Sequence, residues 1–376
     1  MTELRIWLSR ICSFLPTFLF GTFSVCIPWK MAHLNMSETD LSFVILTFGI
    51  AMIFSIQICR IVLMPKFGTI HLMPLGGLLF SILFYFWTLS LDYLTFISLA
   101  IPAGIFWGLI SPPANVETFR LESETGRILF PIFEASFSFG MLMGALTSGA
   151  LQGLGVNPEE IFTLASLFTG AICLLLFILV ALKLKQVPTE KTYIKLPSKK
   201  VLLPGVIAGI VYATYGIVVD WSAHWLSSEY QITAFLSGIV IYFFSSTELL
   251  ALLLGSKLLE FFGEKKVVFH AMIAGCLVLL VSLIIENLLF IGIAFGIFGF
   301  LTANFHPVIL QITGRLDVAN KEEAIGDVTL LSFVGFIFGP PIIGFVGELY
   351  GLTICIFALP IIWILCAFLI LPKLKS

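Results

Sequence analysis

The stretch QVPTEKTYIKLPSKK, residues 186–200, is the longest polar run in a chain of 376 residues that is 59% hydrophobic and 11% charged. So little polar surface cannot cover a water-soluble domain of this size, and a mean hydropathy of +1.09 points to a bilayer as the solvent. On either side of residues 186–200 the sequence divides into apolar runs of about 20 residues, the length a helix needs to cross the hydrocarbon core. Six precede it, near 10–29, 40–59, 71–91, 93–113, 128–152 and 160–184. Six follow, near 201–226, 232–254, 267–286, 288–312, 325–347 and 351–371. The expected fold is all-α and integral to the membrane: twelve transmembrane helices in two pseudo-symmetric six-helix bundles, 1–185 and 201–376, with 186–200 as a cytoplasmic linker.

Lys and Arg orient the chain. With a cytoplasmic N-terminus, all of the 20 basic residues except Lys30 fall in inner segments, and moving the count by one helix would scramble the bias. Both termini are therefore expected in the cytoplasm. Arg5 and Arg10 precede the first run, but no small-x-small cleavage site follows, so the run reads as an uncleaved helix. Cys12, Cys26, Cys59, Cys173, Cys276, Cys355 and Cys366 have neither metal-ligand spacing nor a disulfide pattern. No cofactor or metal is expected. The short loops read as bacterial, which gives little weight to the sequon at Asn35 and places the protein in the inner membrane.

The halves echo each other. Gly21 and Gly216 lie 195 residues apart in the first run of each half, and Phe67-Gly68 and Phe262-Gly263 repeat that spacing after the second. GIF occurs at 104–106 and again at 296–298, in the fourth run of each half. Such matches indicate a duplicated six-helix unit, an architecture found in secondary transporters.

Four stretches carry a likeness to a known family: ANVETFRLESETGRILFPIFEASFSFG at 114–140, DWSAHWL at 220–226, HPVILQITGR at 306–315 and AIGDVTLLSFVGFIFGPPIIGF at 324–345. With the twelve-run layout, they make the chain resemble the major facilitator superfamily, near a bacterial branch of sugar and fucose permease-like members. The resemblance implies the major facilitator fold and solute transport. There are departures. The superfamily's loop after the second helix carries an acid where CRIVLMPKFGTIH has Pro65; its counterpart GSKLLEFFGEKK keeps Glu260, Gly263, Lys265 and Lys266. Members of the branch have a His in the fifth helix where this chain has Glu134. The fifth run also lacks the Gly-Pro signature of drug antiporters, which speaks against drug export.

The polar residues inside the apolar runs are the candidate site. An Asp near the centre of a spanning helix costs about 2.5–3.5 kcal/mol on insertion scales, so such groups face a protein interior or a water-filled path. Asp220, Glu248 and Glu134 are the candidates for proton coupling. Tyr212, Gly216, Asp220 and His224 follow a spacing of four, with Gly216 expected to open room beside the carboxylate. Trp107, Asn115, Tyr212, Trp221, His224, Asn304 and His306 are candidates for holding substrate, with aromatic faces available to sugar-like rings. Glu117, Arg120, Glu122 and Arg127 form a candidate cytoplasmic gate, with Glu134 an alternative partner for its arginines.

Each has a structural alternative. The tryptophans serve equally as core or interfacial aromatics, His224 as an outer-end group meeting water, and Asn304 and His306 as partners for backbone freed by Pro307. Gly140, Gly144, Gly335 and Gly339 fit close helix packing. The five histidines form no HExxH, and no GxSxG elbow occurs, so enzymatic activity is not expected. A sensor would bring a longer soluble extension. The reading is a monomeric, proton-coupled uptake transporter in membrane lipid for a small solute, sugar-like ones among the candidates, with an exporter or sensor as the alternative and no nucleic-acid partner.

Overall fold

The computed structural model describes residues 2–127, 129–184, 198–262, 264–316 and 321–369. Most of the expected linker, 185–197, lies outside the described residues, as does Gly263. The helices are α1 (Thr2–Leu34), α2 (Glu38–Ile58), α3 (Met64–Phe67), α4 (Thr69–Thr88), α5 (Tyr93–Trp107), α6 (Ser111–Thr125), α7 (Phe130–Gly153) and α8 (Pro158–Lys183). Then come α9 (Leu202–Tyr230), α10 (Ala234–Ser237), α11 (Ile239–Phe262), α12 (Glu264–Ile285), α13 (Leu288–Thr302), α14 (Phe305–Gly314), α15 (Lys321–Tyr350) and α16 (Leu352–Leu369). A π-helical turn, Cys59–Leu63, joins α2 to α3. Every expected apolar run is helical. Eight helical stretches are long and apolar enough to cross a membrane, and four shorter apolar helices, Ile239–Leu254, Met272–Ile285, Leu288–Thr302 and Leu352–Leu365, occupy the other expected runs.

The chain forms two compact units. The first holds residues 1–36, 43–194 and 233–236, the second 37–42, 195–232 and 237–376. Polar caps start the helices where the chain turns. Ser37 and Asp40 exchange backbone-to-side-chain bonds at the start of α2, and Asn287 accepts from Leu289 N–H and Phe290 N–H at α13. Asp92 accepts from both the N–H and the hydroxyl of Thr95, which holds its carboxyl below the usual range.

Glycines decide which helices meet. In the first unit α1 packs on α7, where a Cβ at Gly21 would strike the Met141 carbonyl and one at Gly144 the Phe18 carbonyl. In the second unit α9 packs on α15, where a Cβ at Gly335 would strike the Gly209 carbonyl and one at Gly339 would overlap Ala213. The two small-xxx-small pairs thus do the same work in equivalent helix pairs. Gly216 is buried against Pro340 and Phe336, so it opens no room beside Asp220; its missing side chain lets α15 approach.

The fourth run of each half is a broken helix. Between α5 and α6, Leu109 N–H bonds to Phe106 O and Ile110 N–H to Trp107 O, a tightened turn that leaves the Ile105 carbonyl to accept from Ser55 Oγ at 2.6 Å. Pro112 and Pro113 fall in the first turn of α6, where a missing N–H costs no helical bond. Between α13 and α14 the break falls at Ala303 and Asn304, ahead of Pro307. Thr247 Oγ on α11 donates to Gly296 O on α13 at 2.6 Å, as Ser55 on α2 does to α5. The repeated GIF is therefore the place where the second helix of each half donates a hydroxyl hydrogen bond to the fourth.

Candidate functional site

The second unit gathers polar and aromatic groups near the middle of its helices. Tyr212, Tyr215 and Asp220 stand on α9, Glu248 on α11 and His306 in the first turn of α14, just past the break. Tyr215 is within electrostatic reach of Glu248, Tyr212 and Asp220. The Tyr212 and His306 rings are 4.6 Å apart, and Phe333 lies 5.9 Å from Tyr212. Phe244 and Phe336 flank Tyr215 at 6.1 and 6.3 Å. Two carboxylates, two phenols and an imidazole can exchange protons and hold a donor-rich ligand, while the ring faces supply apolar contact.

Other expected site residues serve packing or lie elsewhere. Trp221, beside Asp220 in sequence, is fully buried and donates its indole N–H to the Pro340 carbonyl at 2.8 Å. Asn304 is buried and donates to Ala251 O on α11 at 3.1 Å, so it ties the broken run to its neighbour. His224 lies a turn beyond Asp220 with Nε2 3.2 Å from Glu38 Oε1, in the part of α2 that belongs to the second unit. Trp107 is in the first unit, at the end of α5, edge-on to Phe20 at 4.5 Å and Phe80 at 5.3 Å. Asn115 on α6 and Glu134 on α7 are half-buried in that unit.

The expected gate residues form a network inside the first unit. Glu117 is fully buried, with Arg5 Nε at 2.6 Å, Thr69 Oγ donating at 2.7 Å and Arg120 Nη1 at 3.6 Å. Arg5 also meets Glu124 at 2.7 Å. Glu122 caps α7 by accepting from Leu129 N–H and Phe130 N–H, and Arg127 pairs with Glu3 at 2.6 Å on the surface. The arginines considered as partners of Glu134 are thus engaged with Glu117 and Glu3. Where the loop after α2 has Pro65 in place of an acid, charge at this end of the unit is anchored by Arg5 and Glu117. Arg5, Thr69 and Tyr215 are the residues that sequence reasoning missed. Tyr215 had a signal, a hydroxyl five residues from the one acid in its run.

Among the described residues, no group of three His, Cys, Asp or Glu is placed to hold a metal ion. The model of the Major Facilitator Superfamily matches residues 201–375, the half that holds this cluster. An uncharacterised MFS-type transporter of Yersinia pestis is 22% identical over 350 residues, covering 92% of this chain and 90% of its own length. Residues 201–375 are thus similar to the Major Facilitator Superfamily. Solved transporter structures agree with this chain in fold over nearly its whole length. The crystal structure of a variant of the nucleoside transporter NupG superposes with a TM-score of 0.78 at 15% identity, over 99% of this chain and 100% of that one. The human organic anion transporter MFSD10 gives 0.66 at 14% identity, over 98% and 99%. At such identities the likeness is one of fold.

Proposed function

We propose that the chain is a secondary active transporter that carries a small polar solute into a bacterial cell across the inner membrane by alternating access, driven by protons. The observation that supports this reading is the grouping of Asp220 and Glu248 around Tyr215, with Tyr212 and His306 alongside, in the middle of one unit. Carboxylates at that depth are costly unless they carry out a function such as proton transfer. No Lys or Arg occurs in residues 201–256, the stretch of sequence that holds both acids. Residues 1–185 and 201–376 would be the two halves that move, with 186–200 and both termini cytoplasmic and the monomer as the working form. The related folds are named for a nucleoside and for organic anions, so the fold supports solute transport and leaves the solute open.

The test uses proteoliposomes and a solute identified by thermal-shift screening, since a ligand of the folded state raises its melting temperature. An inward proton gradient should drive accumulation by the natural protein. Asp220→Asn should abolish accumulation while exchange of solute across the membrane continues. An Asp220→Asn protein that still concentrates solute would overturn the assignment of coupling to Asp220.

A further inference from the structure

Arg10 carries a charge that the fold of the first unit leaves unused. Among the described residues no carboxylate or carbonyl accepts from its guanidinium, which lies over the Trp7 ring, 5.3 Å from the centroid. The neighbouring arginines are taken up: Arg5 by Glu117 and Glu124, Arg127 by Glu3. At 1.5 Å per residue Arg10 stands about 7.5 Å further along α1 than Arg5, where the apolar run begins. A guanidinium there is costly unless it reaches water or an anion. Trp7, Arg10, Phe14 and Phe18 share one side of α1. Phe14 stacks on Phe18 at 5.9 Å and meets Phe139 of α7 at 5.5 Å, and Phe18 meets Phe168 of α8 at 5.8 Å. Trp7 is 56% exposed, Phe139 43% and Phe168 50%, so this aromatic strip opens to the surroundings of the chain. It runs between α7 and α8, which both pack on α1 and have little contact with each other. Phe20, about 200° round the helix from Phe18, turns the other way, to Phe80 and Trp107.

We infer that this strip is a binding site for a phospholipid of net negative charge, of the phosphatidylglycerol type, with its phosphate on Arg10 and an acyl chain laid along Phe14, Phe18, Phe139 and Phe168. The site requires the chain to sit in a bilayer and is independent of what the chain transports. A guanidinium can stack its face on an indole and still offer the N–H fork along its edge, which matches two phosphate oxygens at once. The exposed rings give the acyl chain the dispersion contacts that a smooth aliphatic surface would spread more thinly. Charge selects the headgroup. Glu3, the acid on the same side of α1, is paired with Arg127 at 2.6 Å, so together with Arg10 these groups hold one net positive charge. An anionic headgroup neutralises it, whereas the ammonium of phosphatidylethanolamine would have to compete with Arg127 for Glu3.

Native mass spectrometry of the full-length protein in detergent tests this, with phosphatidylglycerol, phosphatidylethanolamine or phosphatidylcholine of identical acyl chains added in turn. The protein should retain phosphatidylglycerol at least about fivefold more tightly than either of the others, the effect of one cation on an anionic lipid. Arg10→Gln should remove that preference at an unchanged melting temperature, because Arg10 has no partner among the described residues to lose, and Arg10→Lys should keep it in weakened form. Inorganic phosphate should not displace the lipid, since the acyl chain supplies the rest of the binding. Equal retention of the three lipids, a preference that survives Arg10→Gln, or displacement by inorganic phosphate, which marks a plain anion site, would each overturn the inference. So would a dimer that carries no lipid and in which Trp7 is protected from oxidation, because a second copy would then cover the strip. The comparison of the three lipids uses the natural protein, so it decides the matter even where a variant fails to fold.

Discussion

Asp220 and Trp221 are neighbours in sequence with opposite surroundings. Asp220 is half-buried in the polar cluster, whereas Trp221 is wholly buried with its indole on the Pro340 carbonyl. Trp221→Phe keeps the ring but leaves that carbonyl without its donor, a loss of about 1–2 kcal/mol. It should lower the melting temperature while transport per folded molecule stays unchanged. Tyr215→Phe should do the reverse, since its hydroxyl is within electrostatic reach of Glu248, Tyr212 and Asp220: near-normal melting with accumulation reduced tenfold or more. Melting curves and uptake measured on the same preparations separate the two, and normal accumulation by Tyr215→Phe would remove Tyr215 from the site. At this scale the sequence was legible wherever a charge interrupted an apolar run, which is how Asp220 and Glu248 stand out. It was illegible where chemistry depends on distance. Arg5 and Glu117 are 112 residues apart, and nothing in either flank states that they meet at 2.6 Å. Tyr215 lies five residues from Asp220, but nothing in the sequence states that Glu248 reaches it electrostatically from another helix.

Helices showed a different balance. Apolar length located the long apolar helices, because a bilayer imposes that length, and missed the short α3 and α10 and the separate α6 and α14. The break inside each fourth run was only half visible, through Pro112, Pro113 and Pro307; the tightened turn at 108–110 depends on Ser55 reaching the Ile105 carbonyl from another helix. The broken run leaves α6 separate from α5, and Glu117 and Glu124 on Arg5, with Glu122 on the start of α7, fix it in place. Close approach of whole helices gives the sharpest prediction at this scale. At Gly335 and Gly144 the obstacle to a Cβ is a backbone carbonyl, which cannot swing aside as a side chain would. Gly335→Ala and Gly144→Ala should each cost about 2–3 kcal/mol, at the upper end for overpacking. Gly170→Ala, where a Cβ would sit at 3.6 Å from Ser81, should be tolerated. Thermal unfolding in detergent measures all three, and equal melting of Gly335→Ala and Gly170→Ala would show that α9 and α15 separate without penalty.

For the whole molecule, charge asymmetry is the basis of the proposed orientation. The turns assigned to the outside carry Glu38, Asp40, Asp92, Glu159, Glu160, Glu229, Glu286 and Glu348, and among Lys and Arg only Lys30. The structure explains the exception: Lys30 is 1% exposed and its ammonium satisfies the Thr88 carbonyl at the end of α4 and the Ser90 carbonyl just beyond, where a cation suits the helix dipole. Lys30 is thus a helix cap and presents no charge at the surface, so it does not count against the proposed orientation. Orientation follows as an expectation open to labelling. The six described cysteines are buried, so with Cys366 replaced by Ser they should give little background to an impermeant thiol reagent. Leu91 and Leu154 are exposed in turns assigned to the outside, and Ser198 is exposed in the segment assigned to the cytoplasm. On intact cells Leu91→Cys and Leu154→Cys should label, whereas Ser198→Cys should label only after the membrane is permeabilised. Labelling of Ser198→Cys from outside, with Leu154→Cys protected, would invert the orientation and with it the direction in which Asp220 meets the proton.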